Sequence, residues 1–304
     1  MKKTSLFLKP VGGLCNRMRA VDSSIALASE LNKQLIVFWG RDRFVNCKFS
    51  DLFQQPKHFK VLEENQHYGK KALFPYLPGS RPSSLLRQSF YSFTKLALGI
   101  RSEILFEDLE DALLPLGDVA PPRITGMKDF EQKSYQHITP LLTRLKDEGS
   151  AFVCSAWRLH PEQNYKQNLV PVDRLNRKVT ALTQGFGQTI GIHIRRTDHS
   201  QALQYSNLDK FKEAIDQELR QDKNATFFLA TDCPRTESEL KRKYKNRIIT
   251  FEKTSYNRNS TQGIQDALVD LCCLSRTNKI LGSYFSSFSQ VASEITGIRE
   301  ETVY

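Results

Sequence analysis

The sequence has no apolar run near the ~20 residues that a membrane-spanning helix needs, and its first residues lack the apolar core and cleavage site of a signal peptide. None of its six cysteines forms a CxxC pair, which argues against zinc and redox sites. Several cysteines lie in apolar contexts, as buried thiols do. Internal repeats and low-complexity segments are also absent. We therefore expect a reduced, cytoplasmic protein without a transmembrane segment.

Acidic residues are too few to balance the basic ones. The chain of 304 residues has 44 Lys and Arg against 33 Asp and Glu, so its net charge is +11. This excess of positive charge favours an anionic partner. Nucleic acid, an anionic membrane surface and a phosphorylated ligand all fit, and the net charge does not choose among them. The densest basic run, at 241–245, is expected to be an exposed helix end. We expect no nucleic-acid partner, and peripheral contact with a membrane remains one of the alternatives.

A strand–glycine loop–helix–strand unit begins the chain. Residues 5–8 and 34–39 are predicted strands, and a helix with an apolar stripe at nearly helical period begins at Leu14. Gly12 and Gly13 allow backbone N–H groups to approach an anion at the N-terminus of this helix. A simple tight turn is the alternative, because the loop does not have the GxGxxG pattern. The unit predicts the opening of a doubly wound sheet.

A predicted buried strand at 189–194 ends in the ionisable residues His193, Arg195, Arg196 and Asp198. Charges at the end of a buried strand are costly unless they have partners. Ligands of open α/β sheets bind at the carboxyl ends of the strands. Two adjacent guanidiniums at such a place suit a diphosphate, whose oxygens they bind bidentately. An Arg–Asp cluster that only holds a loop is the alternative.

Three further signals lie in the second half, where strands and helices alternate as in a parallel sheet. Asp232 follows an apolar strand and is expected to orient an arginine or a helix. Asp266 and Asp270 share a helical face, and either can accept paired N–H bonds such as a guanine edge offers. Ser286 and Ser287 can present N–H and hydroxyl groups to a phosphate. The alternative for Asp270 is a solvated or capping carboxylate, and the alternative for Ser286 and Ser287 is a plain N-cap.

Together, these segments resemble the superfamily of GDP-fucose-dependent fucosyltransferases, which includes α1,6- and α1,2-fucosyltransferases, rhizobial chitin-oligosaccharide fucosyltransferases and protein O-fucosyltransferases. The charged strand end matches an HxRRxD motif, and residues 12–17 resemble the glycine-rich loop of the family. Residues 229–232 resemble its second motif. Residues 268–275 and 283–289 resemble its third. The match covers the N-terminal unit and almost all of the second half, in the right order.

The resemblance implies an α/β GT-B-like fold in which two Rossmann-like domains with parallel sheets face each other across a cleft. We place the first domain, with the glycine loop and the acceptor side, at 1–184, and the GDP-sugar-binding domain at 185–304. The implied reaction is inverting transfer of fucose from GDP-fucose to a glycan hydroxyl, without a cofactor or metal ion. The sequence has no DxD motif, and two arginines can neutralise the charge that a metal would.

The resemblance also assigns residues to the donor. It places Arg195 on the β-phosphate and Ser286 and Ser287 on the phosphates. His193 and Asp270 lie on the guanine and ribose side. The donor-binding set predicted in this way is Gly12, Gly13, His193, Arg195, Asp232, Asp270, Ser286, Ser287 and Phe288.

The catalytic base is left open. Some α1,6-type enzymes carry a glutamate ten residues after the motif histidine, and Leu203 stands at that position here. The nearest candidates are Asp198 and Asp22, and Asp198 is alternatively the partner of Arg196. Asn16 is expected near the reacting sugar as a positioning group. The predicted catalytic set is Arg195, Arg196, Asn16, Asp198 and Asp22.

Four other functions remain as alternatives. The donor can be a different GDP-sugar, or the protein can be a GDP-sugar binder without activity, since the glutamate is missing. A basic α/β protein that binds nucleic acid is a rival of another class, and steep salt dependence would support it. A NAD-dependent dehydrogenase is disfavoured by the missing GxGxxG and by the paired arginines.

Overall fold

The structure is a computed structural model that describes residues 4–63, 77–197 and 199–304. The chain forms two compact units, each with a five-stranded sheet. Unit 1 comprises Met1–Asp118 and Glu131–Val170, and unit 2 comprises Val119–Phe130 and Pro171–Tyr304. The predicted boundary at residue 184 differs from this division, because the helix Asp173–Thr183 packs on the helix Thr261–Leu274 of unit 2.

Unit 1 is a parallel sheet with the strand order β3-β2-β1-β5-β4. Its central strand is mostly buried, as strands covered on both faces by helices are. A core of Phe7, Phe38, Tyr91 and Phe152 forms part of its packing. The strands are β1 (Ser5–Pro10), β2 (Gln34–Trp39), β3 (Lys60–Glu63), β4 (Ile100–Ile104) and β5 (Ser150–Ser155). The helices are α1 (Leu14–Glu30), α2 (Leu85–Leu98), α3 (Phe106–Leu113), α4 (Met127–Leu142, in unit 1 from Glu131) and α5 (Tyr165–Asn168).

Unit 2 is a second parallel sheet, with the order β10-β9-β6-β7-β8. The strands are β6 (Thr189–Ile194), β7 (Thr226–Thr231), β8 (Ile248–Ile249), β9 (Lys279–Ser283) and β10 (Arg299–Val303). The helices are α6 (Asp173–Thr183), α7 (Ser200–Tyr205), α8 (Leu208–Gln221), α9 (Pro234–Tyr244), α10 (Thr261–Leu274) and α11 (Ser287–Thr296). β6 is buried at every position, and the order of the strands reverses between it and β9. Such a reversal is where open α/β sheets bind ligands.

The α/β class and the parallel sheets predicted from the sequence are confirmed. β2 and β6 have the predicted bounds, and Asn207 caps α8 as predicted, its side chain accepting the N–H of Lys210. All six cysteines are free thiols. In the described part of the chain, no helix is both long and apolar enough to cross a membrane.

Candidate functional site

Asp232, directly after β7, forms hydrogen bonds and an ion pair with residues 195–197, which follow β6. Its carboxylate accepts the N–H of Arg196 at 2.8 Å and that of Thr197 at 3.3 Å, and it also accepts the Thr197 hydroxyl at 2.7 Å. The Nη1 atom of Arg195 lies 3.1 Å from its Oδ2 atom. Asp232 therefore orients Arg195, which is the supporting role that the sequence indicates for it.

Ser283, the last residue of β9, joins the ends of β6 and β9. Its hydroxyl accepts the N–H of Arg195 at 2.9 Å and donates to the carbonyl of His193 at 3.1 Å. The Arg195 side chain thus leaves the sheet at the reversal of strand order, and it remains 18% exposed. Backbone and side chain are both fixed, so this guanidinium is preorganised for an anion.

Arg196 has a different neighbour from Arg195. Its Nη1 atom donates to the carbonyl of Ser206, at the end of α7, at 3.2 Å. This contact ties the Arg196 side chain to the end of α7, and a shared role of Arg195 and Arg196 on one diphosphate remains a prediction. Asp198, a candidate base, lies outside the described residues.

His193 is buried, and its ring stacks on Phe288 with the centroids 4.7 Å apart. Burial, together with the charge of Arg195, lowers the pKa of His193 to about 3, so the imidazole is neutral at physiological pH. Its Nδ1 atom is buried and has no hydrogen-bond partner within the described residues. A buried polar atom of this kind indicates a place for a ligand or a water molecule.

The N-terminus of α11 lies beside this strand end. Ser286 is its N-cap, and the hydroxyl accepts the N–H of Phe288 at 3.3 Å. Gly282 permits the close approach of the helix to β9, because a Cβ there would lie 2.6 Å from the Ser289 hydroxyl. Ser287, the first helical residue, is half-buried. N–H groups at a helix start favour anions.

The turn that presents Ser286 is held by the segment 119–130. Phe285 in this turn has a φ of +55°, which is unfavourable for a bulky residue. The Tyr284 hydroxyl donates to the carbonyls of Val119 and Ile124, the latter at 2.6 Å, and the ring of Phe285 packs on Phe130. These contacts offset the cost of the strained turn, and backbone strain of this kind is typical of functional sites.

Asp270 of α10 forms a buried ion pair. Its Oδ2 atom lies 2.9 Å from the Nζ atom of Lys253, in the loop after β8, and both side chains are at most 5% exposed. Burial raises the pKa of Asp270 to about 7, and the Lys253 ammonium opposes that rise. The Oδ1 atom is buried without a hydrogen-bond partner in the described part of the chain, so the carboxylate has acceptor capacity left.

Asp266 lies on the same face of α10 but has its acceptors filled. It accepts the N–H groups of Thr254 at 2.7 Å and of Ser255 at 3.0 Å, and the side-chain amide of Gln262 at 2.8 Å. It holds the loop that carries Lys253. Of the two carboxylates, Asp270 is therefore the one suited to a ligand.

In unit 1, the glycine loop is packed around its own helix. Gly12 has a φ of +79°, and a Cβ there would lie 2.9 Å from the side-chain nitrogen of Asn16. The buried Arg17 donates from Nε to the carbonyl of Gly12 at 3.0 Å and from Nη2 to Asp42 at 2.6 Å. Gly13 is the N-cap of α1, without a side-chain cap hydrogen bond. The loop thus needs glycine at position 12, and it places Asn16 at the start of α1.

Asp22 is hydrogen-bonded to the start and the end of α5. Its two oxygens accept the backbone N–H of Asn164, at 3.2 and 3.0 Å, and one of them accepts the side-chain amide of Asn168 at 2.8 Å. Burial is the main cause that raises its pKa, and these hydrogen bonds oppose the rise. A base needs an oxygen within reach of the substrate proton. These hydrogen bonds favour a structural role for Asp22 at α5, and its role as a base remains a prediction.

We expect Asp22→Asn to lower the free energy of unfolding by about 1–3 kcal/mol, because an amide group would face N–H donors in a buried place. Turnover by the folded protein should stay close to that of the unchanged protein. Chemical denaturation and rate assays on the same preparation measure both. Asp209→Asn, at an exposed carboxylate, is the control and should leave stability nearly unchanged. Loss of turnover with unchanged stability would instead favour Asp22 as the base.

A buried charged network near β5 was not predicted. Glu131 accepts Nη1 of Arg19 at 2.9 Å and Nε of Arg158 at 2.8 Å, and Arg158 also donates to the hydroxyl of Tyr165 at 3.0 Å. The guanidinium of Arg19 lies over the ring of Trp157. Arg158 directly after an apolar strand is the sequence signal, but nothing local to it indicates Glu131.

Within 4–63, 77–197 and 199–304, no group of three or more His, Cys, Asp or Glu side chains could hold a metal ion. Leu203, where the resemblance has a glutamate, lies exposed on α7.

No model of a known protein family matches the chain, and neither does any curated protein. Solved structures do match it. A crystal structure of the α1,6-fucosyltransferase NodZ soaked with GDP-fucose aligns with a TM-score of 0.60 over 97% of this chain and 93% of that one, at 16% identity. The fold is that of NodZ.

Two further structures agree with this assignment. NodZ from Bradyrhizobium aligns with a TM-score of 0.58 over 96% of this chain and 92% of its own, at 16% identity. POFUT1 in complex with GDP aligns with a TM-score of 0.54 over 100% of this chain and 99% of that one, at 12% identity. The predicted resemblance to fucosyltransferases such as NodZ is thus confirmed for the fold, over nearly the whole chain.

Proposed function

We propose that the protein is a glycosyltransferase that moves fucose from GDP-fucose to a hydroxyl group of a glycan, with inversion at the anomeric carbon and without a metal ion. The observation that carries the proposal is the preorganised Arg195 at the reversal of strand order in unit 2, beside the N-terminus of α11. The fold of NodZ, whose crystals were soaked with GDP-fucose and which was co-crystallised with GDP, supports the choice of donor.

The proposed reaction is direct displacement. The acceptor oxygen forms a bond to the anomeric carbon while the bond from that carbon to the β-phosphate oxygen breaks, and GDP leaves with the bonding electrons. The proton of the acceptor hydroxyl passes to a base, for which Asp198 is the predicted group. Negative charge grows on the leaving diphosphate, so a fixed guanidinium and helix N–H groups lower the barrier. Arg195 supplies the first, and the start of α11, at Ser286 and Ser287, supplies the second.

The donor base is proposed to meet Asp270 and Lys253. The unfilled Oδ1 atom of Asp270 can accept an N–H, and the Lys253 ammonium can donate to a carbonyl. Guanine presents one carbonyl next to two N–H donors on its Watson–Crick edge, whereas adenine presents no carbonyl. The buried pair is therefore complementary to guanine. His193, neutral and stacked on Phe288, offers Nδ1 as a further polar contact.

The acceptor side is proposed to involve Asn16 and Asp198. Asn16 remains the predicted positioning group, and Asp198 remains the predicted base. The oxygens of Asp22 already accept hydrogen bonds from Asn164 and Asn168. We therefore expect stabilisation of the leaving diphosphate to contribute more to the rate than a base does. The exposed Leu203 favours a second candidate, a protein that binds a GDP-sugar without turning it over.

We expect GDP and GDP-fucose to raise the melting temperature, with or without EDTA, and UDP and NAD to leave it unchanged. A ligand at about 100 times its dissociation constant stabilises a fold by about 2.7 kcal/mol. Differential scanning fluorimetry with this set of nucleotides measures the effect. A rise with UDP or NAD but not with GDP would contradict the proposed donor, and a requirement for added metal would contradict metal independence.

A further inference from the structure

The buried pair of Lys253 and Asp270 in unit 2 has unused polar atoms. The ion pair joins Nζ of Lys253 to Oδ2 of Asp270 at 2.9 Å, and neither side chain is more than 5% exposed. Apart from this pair, Nζ of Lys253 and Oδ1 of Asp270 are buried without a hydrogen-bond partner among the described residues. Buried polar atoms of this kind indicate a ligand that completes their hydrogen bonds, so the exact position of the ammonium group matters.

The backbone that carries Lys253 is fixed by α10. Asp266 accepts the N–H groups of the two residues that follow Lys253, at 2.7 and 3.0 Å. Further along the same loop, the carbonyl of Asn257 packs so closely on α10 that a Cβ at Gly263 would lie 2.1 Å from it. These contacts determine where the Lys253 side chain begins. They leave open where its ammonium group ends, because four carbons of flexible stem lie between the two.

The end of the Lys253 side chain is held by Glu237 and Tyr256. Oε2 of Glu237, in the first turn of α9, lies 4.0 Å from Nζ of Lys253. The same oxygen accepts the hydroxyl of Tyr256 at 2.9 Å, and the ammonium lies over the Tyr256 ring, 5.2 Å from its centroid. The ammonium therefore lies between two carboxylates and an aromatic face, all of which attract a cation.

Glu237 and Tyr256 have the protonation states that this arrangement needs. Burial acts to raise the pKa of Glu237, but the hydrogen bonds that it accepts and the charge of Lys253 outweigh burial, so its pKa lies below the usual value. Burial and then the hydrogen bond to Glu237 raise the pKa of Tyr256, so its hydroxyl keeps the proton that it donates. The second oxygen of Glu237 accepts Nζ of Lys241 at 2.7 Å. Both oxygens are thus occupied, and the carboxylate orients a cation rather than binding a ligand.

The start of α9 connects the two cations of the proposed donor site. Asp232, whose carboxylate lies 3.1 Å from the Arg195 guanidinium, comes shortly before this helix, which begins at Pro234. Glu237, beside Lys253, lies in its first turn. One junction of strand and helix therefore positions both the cation proposed for the phosphates and the cation proposed for the base.

We propose that Glu237 and Tyr256 are positioning residues that hold the Lys253 ammonium against the C6 oxygen of a purine, and so select a 6-oxopurine nucleotide over an adenine nucleotide. The inference rests on the proposed function, in which guanine lies against Asp270 and Lys253. Guanine and hypoxanthine both carry this oxygen. Adenine carries an amino group there, which cannot accept the ammonium N–H, and a site built to bond one substrate group discriminates against an analogue that lacks it.

The test is isothermal titration calorimetry of the full chain with GDP, IDP, ADP and pyrophosphate. Glu237→Gln keeps an oxygen for the Tyr256 hydroxyl but removes the charge beside Lys253, and we expect it to weaken GDP and IDP by about three- to tenfold. The factor should be the same for both, because both carry the C6 oxygen. ADP and pyrophosphate should bind as before, since neither accepts the hydrogen bond from Lys253.

Tyr256→Phe gives the same test without altering a buried charge, at a side chain that is 37% exposed. It keeps the ring under the ammonium and loses only the hydroxyl that fixes Glu237. We expect it to weaken GDP and IDP by about two- to threefold and to leave ADP and pyrophosphate unchanged. Thermal melting shows that each variant is folded.

Glu239→Gln is the matched control, since Glu239 lies on the same helix and pairs with Lys212 at 2.7 Å instead of with Lys253. It should leave all four affinities unchanged. Unchanged GDP affinity in Glu237→Gln and Tyr256→Phe overturns the positioning role and leaves the proposed donor intact. An equal loss for pyrophosphate, or the same loss in Glu239→Gln, also overturns it, because the whole site would then be disturbed. Failure of the unchanged protein to bind GDP would contradict the proposed function itself, and this inference with it.

Discussion

Replacing Arg195 with alanine will lower the rate of GDP release from GDP-fucose by about 10²–10³-fold, the cost of removing one preorganised donor from a developing anion. The melting temperature will fall little. Asp232 keeps three other hydrogen bonds, from Arg196 N–H and from the N–H and hydroxyl of Thr197, so the loop after β6 stays in place. Steady-state assays of GDP release, together with thermal melting, measure both effects.

Two matched variants distinguish the contribution of the Arg195 guanidinium group from that of its positive charge and from that of the neighbouring Arg196. Arg195→Lys keeps the charge but loses the planar fork, so it should recover only a small part of the rate. Arg196→Ala removes a guanidinium that donates to the carbonyl of Ser206, and it should cost far less turnover than Arg195→Ala. If Arg195→Ala unfolds the protein while the folded remainder works normally, the residue only holds a loop.

Lys253→Met will lower the free energy of unfolding by about 3–5 kcal/mol at pH 8, because it leaves the buried carboxylate of Asp270 without its cation. The loss will shrink towards pH 5.5. Burial raises the pKa of Asp270 to about 7, well above its value in the unfolded chain, so the folded state binds the proton more tightly. Stability from this group is therefore present at low pH and is lost as the pH rises from about 4 through 7. The Lys253 ammonium reduces this loss of stability at high pH, because its charge stabilises the ionised Asp270.

Denaturant unfolding at several pH values measures this dependence. The matched control is Lys243→Met, in the half-exposed pair of Lys243 with Asp216, which should cost no more than about 1 kcal/mol. The double variant Lys253→Met/Asp270→Leu should regain most of the lost stability, since no buried charge then remains unpaired. A loss for Lys253→Met that is the same at every pH would mean that the ammonium contributes by packing alone.

The sequence predicts most accurately the elements whose pattern is local. β6 is apolar apart from Thr189 and His193 and is buried at every position, so its bounds are read directly from residues 189–194. β10 is missed because its Arg, Glu and Thr residues form an edge strand with no apolar pattern, although pairing with β9 makes it part of the sheet. β3, with one buried residue, is missed for the same reason.

Some residues of the candidate site can likewise be predicted from local sequence patterns, and others cannot. The charged end of β6 and the cap at Ser286 are visible in the sequence, since each lies next to a clear strand or helix. Lys253 follows the short strand β8, and only the fold brings it to α10. The segment 119–130 returns to support the turn before α11, which displaces the domain boundary in a way that no local pattern indicates. The base remains a prediction at Asp198.

The measurement that tests the central claim most directly is proton NMR of GDP-fucose incubated with the protein in the presence of EDTA, with a glycan or water as acceptor. We expect the anomeric signal of the donor to disappear, GDP to accumulate, and the first fucose product to have the opposite anomeric configuration. Arg195→Ala, run in parallel, should be nearly inactive. A donor signal that persists at saturating protein, or a first product with retained configuration, would contradict the account.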